Sequence, residues 1–176
     1  KVLEDSKKSL SRCVCTLRPK SEGGLFIGKE DERKSILKLI AEYNPYLLDV
    51  EFNTIQKDKK LAVYLKKTKC KLLISWHDFK KTPNDSQLKS RFKKMSKFSK
   101  VVKIVTVAKN VSDASRLLSL YSIKSKNKTV AFCMGEQGKF SRILCLHLGS
   151  PFTYVSLGKA IAPGQFSVDE IKSLQN

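Results

Sequence analysis

The sequence predicts an α/β fold with a parallel sheet, and three observations carry that expectation. Apolar, β-rich runs recur at residues 13–17, 47–52, 71–76, 101–107, 129–133 and 152–155, roughly every 25 to 35 residues. Stretches with helical periodicity lie between them, and strands that alternate with helices form parallel sheets through crossover connections. Polar residues stand in or just past successive runs: Arg18 and Glu22 after the first, Asp49 and Glu51 in the second, His77 after the third, Lys103 in the fourth and Arg142 past the fifth. Six β/α units fit either an open doubly wound sheet or most of an eight-stranded barrel. Barrels keep their active sites at the C-terminal ends of the strands. The third observation therefore favours a TIM-type (β/α)8 barrel, of which about six units are present, in a single partial domain spanning residues 1–176. Gly23-Gly24 and the glycines at 135 and 138 match neither G-x-G-x-x-G nor a P-loop, which removes the phosphate loop of nucleotide-binding open sheets.

Taken in order, the first run alternates Cys13, Val14 and Cys15 as a strand does, and Gly23-Gly24 marks a turn after it. Residues 31–43 carry Ile36, Leu37, Leu39 and Ile40 at helical spacing. In the second strand, Asp49 and Glu51 alternate onto one face of an apolar run, where carboxylates are costly unless paired; they are expected as structural partners of a cationic site. A helix is expected over 57–67 before the third strand. Another is expected over 87–98, where Phe92, Met95 and Phe98 make one apolar face and the lysines a solvated one. Helices over 112–121 and 140–148 flank the fifth strand. Asp85 and Ser112 stand where N-caps belong. Asp78 reads as a helix cap and His147 as a structural residue.

The formal charge is +19, but 29 of the 35 basic residues are lysine and only 6 are arginine. Base reading and phosphate clamping favour arginine's planar fork, so a polyanion-binding module is an alternative and not the leading reading. Five cysteines, with no C-x-x-C and no paired histidine spacing, indicate neither zinc nor a disulfide framework. They read as small core residues of a reducing compartment. No apolar run has membrane length and there is no signal-peptide pattern, so a cytoplasmic protein is expected. The sequence begins at Lys1 and not at a methionine, so a native start further upstream is expected.

Lys103 is the residue that needs a reason. It sits inside Val101-Val102-Lys103-Ile104-Val105-Thr106-Val107, a stretch otherwise suited to a buried strand. An ammonium in an apolar interior finds a partner or loses its proton, and a neutral lysine attacks ketones and aldehydes to form Schiff bases. From this segment alone, an edge strand whose lysine reaches water along its stem is an equal alternative. Strand alternation puts His77 and Lys103 on matching faces of successive strands. An imidazole beside an iminium-forming lysine is the equipment for removing a proton next to a carbonyl. Alone, His77 could equally be a satisfied core histidine.

Six segments then resemble, in order, the motifs of the type I 3-dehydroquinate dehydratases. Cys15-Thr16-Leu17-Arg18 with Glu22-Gly23-Gly24 resembles C-T-x-R-x-x-x-E-G-G; Leu48-Asp49-Val50-Glu51 resembles I-D-x-E; Ser75-Trp76-His77-Asp78-Phe79 resembles S-x-H-D-F. Val102-Lys103-Ile104 resembles the Schiff-base strand, Met134-Gly135 with Gly138 and Ser141-Arg142 resembles M-G-x-x-G-x-x-S-R, and Ala162-Pro163-Gly164-Gln165 resembles A-P-G-Q. The resemblance implies a cofactor-free lyase of the shikimate pathway, within aromatic amino acid biosynthesis, that converts 3-dehydroquinate to 3-dehydroshikimate and water. It implies that Lys103 forms an imine with the ring ketone, that His77 is the general base and acid, and that Glu22 orients His77. Arg18 and Arg142 would hold the substrate's carboxylate and hydroxyls, the former through an ion pair with Glu22 or Asp49. Gln165 would close over the ligand, and Met134 and Tyr154 would line its ring. The implied partner is the small-molecule substrate, with neither nucleic acid nor membrane, and the family's barrels often pair, which admits a homodimer.

The sequence departs from the family at two places. Two β/α units that precede the Cys-Thr strand in the family, one with an E-x-R-x-D motif, are not in this sequence, and residues 1–12 read as the tail of the helix that leads into that strand. Ile161 stands where the family has a small hydroxyl residue. The chain is accordingly not expected to be fully active alone, and a catalytically impaired barrel of the same fold is an alternative. A Schiff-base aldolase would also use a strand lysine but would not carry the paired E-G-G and A-P-G-Q loops.

Overall fold

The computed structural model describes residues 1–158 and 160–174. The chain divides into two compact units, the first comprising Lys1–Trp76 and Met95–Val101, the second His77–Lys94 and Val102–Asn176.

In the first unit α1 (Val2–Asp5) and a 3-10 turn (Leu10–Arg12) lead into β1 (Val14–Thr16). This strand pairs in parallel with β2 (Leu47–Glu51), and β2 in turn with β3 (Leu72–Asp78), in the registers Thr16 to Asp49 and Glu51 to Ser75. Every residue of β2 is buried, as in a parallel sheet covered on both faces. The crossover α2 (Glu30–Glu42) turns Arg33, Leu37, Ile40 and Ala41 to the interior and keeps Glu30, Asp31 and Glu32 in its first turn, where the helix dipole favours anions. The helix expected over 57–67 is α4 (Lys59–Lys67), and a further short helix, α3 (Phe52–Lys57), precedes it. Asp58 sets the break: its carboxylate accepts the Leu61 amide at 2.9 Å as the N-cap of α4. Ser99 donates to the Leu72 carbonyl at the start of β3, and Phe98 packs edge-on against Phe52 at 6.1 Å.

In the second unit β4 (Val101–Val107) neighbours β5 (Lys128–Met134), with α6 (Val111–Leu118) and a 3-10 turn (Ser119–Ser122) between them in sequence. α5 (Asp85–Met95) precedes β4, and α7 (Ser141–His147) and α8 (Val168–Ser173) follow β5. Val105, Leu118, Val130, Phe132, Met134 and Cys145 form its core, flanked by Val107, Tyr121, Phe152 and Tyr154. Tyr121 satisfies its buried hydroxyl by donating to the Ala131 carbonyl at 3.1 Å and accepting the Ala131 amide at 2.7 Å.

Three local expectations are corrected. The N-caps of α5 and α6 are Asn84 and Asn110, whose side-chain oxygens accept the Gln87 and Asp113 amides at 2.9 Å; Asp85 and Ser112 lie inside the helices. Asp78 caps a turn and not a helix, accepting the Lys80 amide at 2.9 Å and that of Lys81 at 3.1 Å. The sixth apolar run forms no ladder among the described residues. Phe152 and Tyr154 are held by their rings, Pro151 has no amide to donate, and the backbone makes a single isolated bridge, Ser156 to Ser167. Among the described residues no helix is long and apolar enough to cross a membrane.

Two leucines of α2 separate burial from helix propensity. Leu37 is 0% exposed and Leu39 is 51% exposed. Leu37→Ala is expected to lower the stability measured by urea unfolding by about 2–5 kcal/mol and Leu39→Ala by less than about 0.5 kcal/mol.

Candidate active site

The chemistry-bearing residues fall into two groups. In the first unit, Asp49 and Glu51 share one face of β2 and neither side chain is open to solvent. Burial pushes the Glu51 carboxyl up, and the Arg18 and Arg33 guanidiniums oppose it. Arg18, just past β1, donates from Nη2 to Asp49 Oδ2 at 2.6 Å and from Nη1 to Glu51 Oε1 at 2.8 Å and Ser75 Oγ at 2.6 Å. Ser75 Oγ donates in turn to Asp49 Oδ1 at 2.5 Å. From α2, Arg33 donates to Glu51 Oε2 at 2.7 Å and the Leu17 carbonyl at 2.9 Å, and it grips Glu30 with Nε and Nη2 at 2.8 and 2.7 Å. Glu51 thus bridges two guanidiniums.

The turn that carries Glu22 is set by glycine. A Cβ at Gly24 would lie 1.9 Å from the Arg18 carbonyl oxygen, so only glycine lets the loop fold back on the end of β1. Glu22, 6% exposed, accepts from Asn53 Nδ2 at 3.0 Å. Burial and then the Glu51 charge push its carboxyl up to about 7, against the pull of Arg18 and Asn53. The ion pair expected for Arg18 with Glu22 or Asp49 runs to Asp49 and Glu51. Arg33 and Asn53 were not singled out in the sequence. Arg33 precedes Leu37, Ile40 and Ala41 by four, seven and eight positions, the spacing of a buried helix face, and that signal could have found it.

In the second unit, Lys103 is 7% exposed on β4, with Nζ 4.2 Å from the centroid of the Tyr154 ring. Tyr154 meets Phe132 of β5 at 6.1 Å and Phe152 edge-on at 5.6 Å. The Arg142 guanidinium carbon lies 4.6 Å from the Phe132 centroid. Arg142 is 2% exposed and donates from Nη2 to the Pro163 carbonyl at 3.3 Å, while its Nε has no hydrogen-bond partner. Burial lowers its pKa to about 10, which leaves it cationic at neutral pH. Ser141 sets the start of α7 by accepting the Cys133 amide at 2.8 Å and donating to the Gly138 carbonyl at 2.5 Å, which aims Arg142. Met134 is buried at the end of β5. His77 is half-buried at the end of β3 and stacks on Phe79 at 6.0 Å.

The loop carrying Gln165 sits on the end of β5. The Gly135 amide donates to the Pro163 carbonyl at 3.3 Å, and a Cβ at Gly164, where φ is +68°, would lie 2.7 Å from the Gly135 oxygen. Gln165 Oε1 accepts the Ile161 and Ala162 amides at 3.0 and 3.2 Å, bracing its own loop. Among the described residues no group of His, Cys, Asp and Glu is arranged to hold a metal.

Strands alternating with helices, with an amine, an imidazole and a buried guanidinium placed along the strands and just beyond them, define a β/α protein of the barrel class. The family model described as type I 3-dehydroquinase matches residues 1–176, and the chain belongs to that family. It is 41% identical over 156 residues to a 3-dehydroquinate dehydratase of Pyrobaculum aerophilum, covering 89% of this chain and 50% of that protein. To the Methanocaldococcus jannaschii enzyme of the same name it is 34% identical over 165 residues, covering 92% and 74%. Among solved structures it resembles the Clostridium difficile type I 3-dehydroquinate dehydratase with a TM-score of 0.79 and 27% identity, covering 90% of this chain and 65% of that one. The Aquifex aeolicus 3-dehydroquinate dehydratase gives a TM-score of 0.78 and 26% identity, covering 98% and 80%. The chain thus spans half the length of the Pyrobaculum relative.

Two outcomes follow from this geometry. Glu22 holds its proton up to about pH 7 in the folded chain against an ordinary value of 4.5. Between those values the folded state binds more protons than the unfolded one, so stability falls as pH rises. Urea unfolding across pH 4 to 8 is expected to show that decline in the parent chain and a flatter profile in Glu22→Gln. Arg33→Met leaves Glu51 and Glu30 without a major partner and is expected to cost about 3–5 kcal/mol in the same measurement.

Proposed function

We propose that the chain dehydrates 3-dehydroquinate to 3-dehydroshikimate through an imine on Lys103. One observation carries the reading: within a single unit, a buried strand lysine accompanies a buried arginine whose Nε donor is unspent. The lysine is a candidate nucleophile for a ketone. The arginine is a candidate receptor for a carboxylate, because a desolvated cation with an open donor gains most from an anion that supplies charge and acceptor together. A cyclic ketone bearing a carboxylate satisfies both. The Clostridium difficile relative was solved with covalently modified comenic acid, which supports covalent chemistry in the family.

In this reading Lys103 Nζ attacks the ring ketone and water leaves, giving an iminium. The iminium withdraws electrons from the adjacent C–H bond, His77 takes that proton, and the enamine expels the ring hydroxyl, to which His77 returns the proton. Met134 and Tyr154 supply apolar walls. Gln165, which braces its own loop here, would exchange those amides for the substrate.

The test is chemical trapping. Incubation with 3-dehydroquinate, reduction with borohydride and peptide mass mapping are expected to place a ligand-sized mass on Lys103 and none in Lys103→Ala. No adduct on the chain in its full-length context would overturn the reading. Arg142→Ala is expected to lower kcat/KM by roughly 10- to 100-fold, the range of a lost charged hydrogen bond, chiefly through KM.

A further inference from the structure

Two buried cations of the second unit share one aromatic cluster. Lys103 Nζ stands 4.2 Å from the Tyr154 centroid and the Arg142 guanidinium 4.6 Å from the Phe132 centroid, while the two rings are 6.1 Å apart. Phe152 meets Tyr154 edge-on at 5.6 Å and fixes its tilt. An aromatic face is electron-rich and its edge electron-poor, so a cation over the face is attracted, most strongly where water is excluded. Each cation therefore has its own ring.

We propose that Tyr154 is a catalytic residue of this site: its ring face holds the positive charge of Lys103 Nζ, first on the ammonium and then on the iminium formed with a carbonyl substrate. The iminium half rests on the dehydratase reading; the ammonium half does not. Charge conservation links the two. An ammonium and a ketone give an iminium and one water: the C–N bond replaces the carbonyl C–O bond, the oxygen leaves with two of the three ammonium hydrogens, and the single positive charge stays on Nζ. A ring aligned with the first cation is aligned with the second. Loss of the adjacent proton then makes a neutral enamine, so the ring favours accumulation of the covalent intermediate and not its decay.

Groups on neighbouring elements of the same unit bear on the same charge. Arg142 on α7 carries like charge and opposes the ammonium. From β5, Phe132 and Met134 are apolar, and the Cys133 thiol lies 3.4 Å from Thr106 Oγ1. His77 and Asp78 end β3, with Asp78 accepting the Lys80 and Lys81 amides.

The test replaces Tyr154 in the full chain with phenylalanine and with its mono-, di- and trifluorinated forms. Fluorine drains the ring face while nearly keeping its shape, and starting from Tyr154→Phe removes the phenol's own titration. Without ligand, labelling of Lys103 by an amine-reactive reagent is followed against pH by mass spectrometry. The midpoint is expected to fall stepwise with each fluorine, by about half to one pH unit over the series. With 3-dehydroquinate, the borohydride-trapped fraction is expected to fall in the same order. A midpoint that does not move across the series overturns the proposal, and equal trapping in all forms overturns its iminium half. A stepwise midpoint with no adduct in any form supports the charge-holding role and overturns the dehydratase reading instead.

Discussion

Asp49 and Glu51 occupy alternate positions of a strand with no solvent exposure, and the first unit is arranged so that neither is left unpaired. A lone buried carboxylate costs several kcal/mol, more than most single packing contacts return. That cost dictates where other elements go. The chain leaving β1 must deliver Arg18, the first turn of α2 must turn Arg33 inward, and β3 must present Ser75 beside Glu51, which is its register partner. Gly24 belongs to the same constraint, since the loop folds back on the Arg18 carbonyl. Glu22 is buried and joins a region already rich in carboxylates, so burial first and the Glu51 charge second hold its proton.

The second unit treats charge differently. Its two buried cations rest on aromatic faces. Aromatic faces attract a cation less strongly than carboxylates do, and in Arg142 the Nε donor stays unspent. Arg142 stays cationic with its Nε unspent. The contrast is between two kinds of polar burial: carboxylates paired with guanidiniums, and cations over aromatic faces.

Membership of the type I 3-dehydroquinase family accounts for the order of the motifs, and the geometry gives several of them a physical cause. The serine of S-R ties α7 to β5, the second glycine of E-G-G avoids a backbone collision, and the glycine of A-P-G-Q lets its loop lie on the Gly135 carbonyl. These are steric and hydrogen-bonding requirements before they are signatures.

The sequence by itself determined the alternation of strands and helices, because periodicity and residue type are local properties and set elements wherever burial is one-sided. It also marked the candidate residues, since Lys103 in an apolar run and carboxylates in a strand are anomalies visible without neighbours. Short-range chemistry was harder to read: asparagine oxygens reached the helix amides ahead of Asp85 and Ser112, and ring packing held residues 152–155 without a ladder. Only the tertiary structure decided the partners. Arg33 to Glu51, Asn53 to Glu22 and Lys103 to Tyr154 join residues far apart in the chain. Which cation meets which anion or ring depends on packing that brings them together and on the cost of leaving any buried charge alone.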